Sequence, residues 1–131
     1  MTCFFVNKFV DNGLVEFEFG NNVNCQIGLV SVALPETEED DETVSISCDQ
    51  IDSTSLNPSR AIRHFYHKNK NKYTNYEFKT VSYQTIDTTD KKLQIRFWDS
   101  IGNPLGFKDY NPRILLTFIL KCDTNKKWIK R

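Results

Sequence analysis

Apolar side chains in this chain recur at every second position. Val15, Phe17 and Phe19 alternate with Glu16 and Glu18, and Leu93, Ile95 and Phe97 alternate with Lys92, Gln94 and Arg96. On an extended backbone that spacing puts one set of side chains on a buried face and the other in water. No segment sustains a 3.6-residue period over the length of a helix, so the chain reads as all-β. Cys25 to Leu34 is apolar at both parities, as a strand covered on two sides would be, and Pro35 is expected to end it. Further strands are expected near Phe4–Val10, Thr43–Ile51, Ala61–Tyr66, Tyr76–Ile86 and Arg113–Lys121. Turn signals stand at Asp11-Asn12-Gly13, Gly20-Asn21-Asn22, Asn57-Pro58, Thr88 to Asp90 and Gly102-Asn103-Pro104. About eight short antiparallel strands predict a two-sheet antiparallel sandwich, most simply a single jelly roll. The immunoglobulin alternative lacks its Cys…Trp…Cys spacing.

The 131 residues suit one domain, here residues 1–122, with a basic tail over 123–131 that includes Trp128. Seventeen aromatic residues (10 Phe, 5 Tyr, 2 Trp) provide a core that a disordered chain would lack. The longest apolar run, Ile114 to Leu120, has strand length and falls short of a membrane span. The opening residues lack the basic start of a secretory signal, which makes an intracellular site of synthesis the simplest expectation. Cys3, Cys25, Cys48 and Cys122 form no C-x-x-C pair, and four reduced thiols are expected. Formal charge sums to zero but is split. Residues 1–60 hold 11 acids and 2 bases, and residues 61–131 hold 6 acids and 15 bases. Such polarity suits head-to-tail contacts between copies, or a polyanion, unless folding interleaves the halves.

Chemistry-bearing patterns are sparse. The acidic run Glu36-Thr37-Glu38-Glu39-Asp40-Asp41-Glu42 lacks the spaced ligands of a calcium loop and reads as a solvated connection. Lys68, Lys70 and Lys72, followed by Tyr73, form a basic loop with little of the stacking that nucleic acid asks for. His64 and His67, three apart on a strand, point to opposite faces. Ser45, Ser47, Cys48, Asp49 and His64 contain the residue types of a nucleophilic site, without a nucleophile elbow or glycine-rich loop to organise them. The expectation is therefore a protein that is not an enzyme and needs no cofactor or metal. If it self-associates, Glu38, Glu39, Asp40 and Asp41 would steer one copy toward Lys68, Lys70 and Lys72 of another. Tyr66, Tyr73, Tyr110 and Trp128 would then supply the apolar contact.

Several segments, in one order, resemble a known family. They are Cys25–Pro35, Val44–Asp52 with its Cys48-Asp49-Gln50-Ile51, and Pro58-Ser59-Arg60. Tyr83-Gln84-Thr85-Ile86-Asp87-Thr88 follows, then Leu93–Phe97 with Asp99, Gly102-Asn103-Pro104-Leu105 and Phe107, and finally Ile114–Leu120. Together they resemble the small structural proteins of Polinton/Maverick elements, adintoviruses and related double-stranded DNA viruses. The resemblance implies a jelly-roll, penton-like minor capsid component found in the virion and assembled inside the host cell. It implies a homo-oligomer, pentamer or trimer, working with a major capsid protein. The alternatives are a receptor-binding or spike-head module and a DNA-binding accessory protein that uses the basic half and tail.

Overall fold

The computed structural model describes residues 2–10, 14–16, 22–89 and 92–124. Nine strands run through them: β1 (Thr2–Val10), β2 (Leu14–Glu16), β3 (Asn22–Pro35), β4 (Asp41–Cys48), β5 (Ala61–Lys68), β6 (Tyr73–Glu77), β7 (Gln84–Ile86), β8 (Lys92–Trp98) and β9 (Ile114–Thr124). They form two antiparallel sheets, one ordered β1-β9-β3-β6 with β7 also on β3, the other ordered β2-β8-β4-β5. The architecture is a two-sheet sandwich, as the alternation predicts. Its pairings nest: β1 with β9, β2 with β8, β3 with β6 and β7, and β4 with β5. A long antiparallel ribbon is thus folded over on itself. Its halves join laterally where β9 pairs β3 and β8 pairs β4.

Period-two patterning explains the core directly. Val44, Ile46 and Cys48 of β4, Leu93 and Ile95 of β8, and Ile114, Leu116, Phe118 and Leu120 of β9 all point inward and are buried. Leu34, Val32 and Ile27 of β3, in the same sheet as β9, join them in the core. The alternate positions Thr43, Ser45, His64, Tyr66 and Arg96 face outward.

Three expectations change. The strand expected over Tyr76–Ile86 is two strands, because residues 78–83 leave the sheet and fold across the outer face of β3 at Gly28. A β-carbon at Gly28 would lie 2.5 Å from Val81 Cγ1 and 2.9 Å from the Tyr83 ring, so only glycine leaves room for this strap. The Lys121 ammonium closes over Tyr83, 3.6 Å from the ring centroid. The thiol expectation is also corrected: Cys25 and Cys122 form a disulfide joining β3 to β9 across 97 residues, while Cys3 and Cys48 are free. A register shift between Val23 and Gln26, with Asn24 at φ 55°, brings Cys25 to Cys122. Finally, β9 continues through Asp123 and Thr124, which pair with Val23 and Asn22, so the strand enters the segment read as tail. Trp128 and the rest of that segment lie outside the described residues, as do Phe17, Phe19, the Asp11-Asn12-Gly13 turn and the Gly20-Asn21 part of the next.

Candidate functional site

Strand direction gives the sandwich two unlike ends. One collects the end of β4, the starts of β5 and β8, and the Cys25–Cys122 bond; we call it the Cys48 end. The other collects the connections β3–β4, β5–β6 and β8–β9; we call it the Asn69 end.

At the Asn69 end the acidic and basic loops expected to meet between copies are neighbours within one chain. Antiparallel pairing of β4 with β5 sets Asp41 opposite Lys68, Glu42 opposite His67 and Thr43 opposite Tyr66. Asn69 N–H donates to the Asp40 carbonyl at 2.9 Å, and its side-chain amide donates to the Thr37 carbonyl at 2.9 Å. Asn69 Oδ1 accepts from Thr37 N–H at 3.1 Å and from His67 Nε2 at 2.7 Å. His67 is fully buried, and its Nδ1 accepts the Tyr76 hydroxyl at 2.7 Å, while that oxygen accepts the Lys68 N–H. Burial pushes the Tyr76 hydroxyl above its ordinary pKa, against a smaller opposing effect of the Lys68 N–H.

The charge halves interleave here. Lys108 reaches Glu36 at 3.5 Å and Asp40 at 3.7 Å, and toward the other end Arg96 grips Asp49 at 2.9 Å, so each pair joins an acid of the first half to a base of the second. Glu38, Glu39, Lys70 and Lys72 are exposed. Tyr66, 61% exposed on the second sheet, hydrogen-bonds Asp41, and that carboxylate raises the hydroxyl pKa. Tyr73 starts β6 opposite Pro35, and Tyr110 stands 95% exposed in the β8–β9 connection.

Parts of several segments that carry the family resemblance, around Cys25, Cys48 to Ile51, Arg60, Ile86 and Gln94, meet at the Cys48 end. Cys48 N–H donates to the Arg60 carbonyl, Arg60 Nε donates to the Ile51 carbonyl, and Ile51 bridges Ile86. Gln50 Oε1 accepts from Gln94 N–H at 2.7 Å, and the Gln50 carbonyl accepts from Asp87 N–H at 2.7 Å. Asp87 in turn accepts from the Thr89 side chain and backbone, which lowers its pKa. These residue types are therefore held by local hydrogen bonding and packing. The Asp99-to-Pro104 segment is likewise a built turn. Asp99 Oδ1 accepts from Ile101 and Asn103 N–H, Gly102 has φ 86°, and Leu105 N–H returns to the Phe97 carbonyl.

Burial pushes the Cys48 thiol up to about 11, which removes it as a nucleophile at neutral pH. Ser45 and His64 are cross-strand neighbours on the outer face, but the Asp49 carboxylate is held by Arg96. His64 and His67 lie on opposite faces, one exposed and one buried. Among the described residues no group of three His, Cys, Asp or Glu is arranged to hold a metal ion, and no helix is long and apolar enough to cross a membrane.

Sequence reasoning missed a groove on the outer face of the second sheet. Trp98 of β8 lies beside Ser45 of β4, which in turn lies beside His64 of β5. Trp98 Nε1–H donates to Ser47 Oγ at 2.8 Å, and Arg96 holds both oxygens of Asp49. That carboxylate raises the guanidinium pKa. Thr43, Ser59, Arg60 and Ser100 complete a depression of about 610 Å³. The outward parity of Arg96 and Trp98, in a strand whose other parity is apolar, was the available signal. Comparison with known protein families, with curated proteins and with solved structures gives no match.

Proposed function

We propose that the chain is a non-enzymatic, self-associating structural protein: a jelly-roll minor capsid component of the penton-like kind its motifs resemble, acting with a major capsid protein. The nested pairing β1·β9, β2·β8, β3·β6, β4·β5 carries the reading, because that order is the one a jelly roll requires. The meeting of several of the resembling segments at the Cys48 end supports it, since a shared fold would ask for the same crossing contacts there. Because fold alone does not determine function, the assembly step needs its own test. Charges at the Asn69 end are partly spent within the chain. Adhesion between copies therefore falls to exposed apolar side chains such as Phe5, Ile101 and Tyr110, at 73%, 79% and 95% exposure.

Solution mass measured by sedimentation over a range of protein concentrations and at about 0.05 and 0.5 M salt tests this, the higher salt screening exposed charges. A closed oligomer that persists at high salt is expected. A monomer at every concentration, with or without a major capsid protein, would sink the proposal. The groove beside Trp98 favours one second reading, a receptor-binding module, in which the sheet face rather than a subunit contact is the working surface.

A further inference from the structure

We propose that the groove on the outer face of β4, β5 and β8 is a binding site for a neutral saccharide. The inference concerns the single chain and holds whether or not copies assemble.

Four observations point to that chemistry. The depression has a volume of about 610 Å³, within the range of small-molecule sites and large enough for more than one sugar ring. Its ionic groups are already partnered. Asp49 and Arg96 form a two-point fork, Asp99 accepts from the backbone of Ile101 and Asn103, and Arg60 Nε donates to the Ile51 carbonyl. Two arginines balance two aspartates, so the wall carries no surplus charge to attract an ion.

The apolar side chains of the lining are Trp98 and Pro58. Trp98 is half-buried, and its only polar atom is committed to Ser47, so the ring presents hydrocarbon to the groove. Around it stand hydroxyls, the exposed imidazole of His64 and those of the five Arg96 donors that Asp49 does not use. A sugar ring has the matching pattern, with a C–H face that packs on an indole and a belt of hydroxyls that both donate and accept. A lipid or apolar peptide would leave these polar groups unpaired at a cost. A phosphate or sulfate would meet a wall whose two arginines are balanced by two aspartates, with no net positive charge to hold it.

The test exploits the fact that the chain has two tryptophans, Trp98 and Trp128. In a Trp128→Phe protein, fluorescence reports Trp98 alone. An array of neutral glycans, with sulfated and sialylated glycans alongside, identifies ligands, which are then titrated by fluorescence and calorimetry. Saturable binding of neutral glycans is expected, weakened at least tenfold by Trp98→Ala and measurably by His64→Ala. His64→Ala alters an exposed side chain and leaves the core intact, so it remains informative if Trp98→Ala lowers stability. Binding confined to sulfated or sialylated glycans would overturn the proposal in favour of an anion site. Absence of any binding by the folded protein, or affinity unchanged in both variants, would overturn it outright.

Discussion

At the Cys48 end, Cys25 and Cys122 are covalently joined, Ile51 and Ile86 pack in the core, and Gln50 ties β4 to β8 and to the residue after β7. At the Asn69 end the same job falls to one buried imidazole, one amide and a few ion pairs between exposed side chains. The first arrangement resists salt and depends on redox state and burial. The second depends on hydrogen-bond partners being present in the right places. One sandwich is thus closed by two chemistries, and each can be attacked separately.

The largest loss should follow removal of the disulfide. A bond spanning 97 residues restricts the unfolded chain strongly, and its removal should cost about 2 to 5 kcal/mol. Urea unfolding of a Cys25→Ala/Cys122→Ala protein, compared with the parent with and without reductant, measures this. An unchanged midpoint in all three would show that the Cys48 end is held by packing alone.

Cys48 tests burial at the same end. Its pKa rises from 9.0 to about 11, chiefly because burial disfavours the thiolate. Between pH 9 and 11 the unfolded chain has lost this proton while the folded chain still holds it. Stability is therefore fully present below pH 9 and falls as pH rises toward 11, by about 2 to 3 kcal/mol. A Cys48→Ala protein lacks this contribution, so the gap between the two curves should narrow steadily across that window. At pH 8, iodoacetamide should modify exposed Cys3 and spare Cys48. Parallel stability curves, or equal labelling of both thiols, would contradict the buried, inert thiol.

At the opposite end the decisive residue is Asn69. Asn69→Leu removes the acceptor of Thr37 N–H and His67 Nε2 together with the donor to the Thr37 carbonyl. Leaving such groups unpaired near a fully buried histidine should cost about 2 kcal/mol. Denaturant midpoints give the cost, and hydrogen exchange at Thr37 and Asn69 localises it. A loss under about 0.5 kcal/mol would mean that water replaces the amide, and that this end is looser than its hydrogen bonds suggest.

How much of this contrast was legible beforehand depends on the kind of contact. Alternation at Val44, Ile46, Leu93 and Ile95 announces inward faces because it is a local property of extended backbone, and the two-sheet sandwich follows from it. The Asp99-to-Pro104 turn was legible for the same reason, since Gly102 accepts the positive φ the turn needs and Pro104 fixes its own φ. The Cys25–Cys122 bond was not, because it depends on a register shift between strands distant in sequence. Nor was the strap over Gly28, since a missing side chain does not say what will occupy its place. His67 could have been read as inward from its parity with Phe65. Its partner Asn69, however, looks like any loop asparagine until two loops meet around it. The charge split left two outcomes open, polarised or interleaved halves: totals over two halves carry no information about which residues fold together, and Lys108 lies against Glu36 and Asp40.

The smallest effect expected concerns that ion pair. The side chains of Lys108 and Glu36 are 49% and 43% exposed, so water and salt screen their attraction, and such pairs contribute up to about 1 kcal/mol. Lys108→Met should lower stability by less than that. The connection itself is kept by Glu38 N–H to the Gly106 carbonyl and Lys108 N–H to the Glu36 carbonyl, both at 3.0 Å, which the substitution leaves in place. At about 0.5 M salt the Debye length is roughly 4 Å, and parent and variant should become indistinguishable. A loss near 2 kcal/mol at low salt that disappears in high salt would make the Asn69 end charge-held rather than amide-held. The same result would imply that this loop cluster has no carboxylates to spare for a neighbouring copy, so parent and variant should be compared for solution mass in the same buffers. Equal stability with altered mass would instead place Lys108 at a subunit contact, where its charge acts between molecules rather than within one.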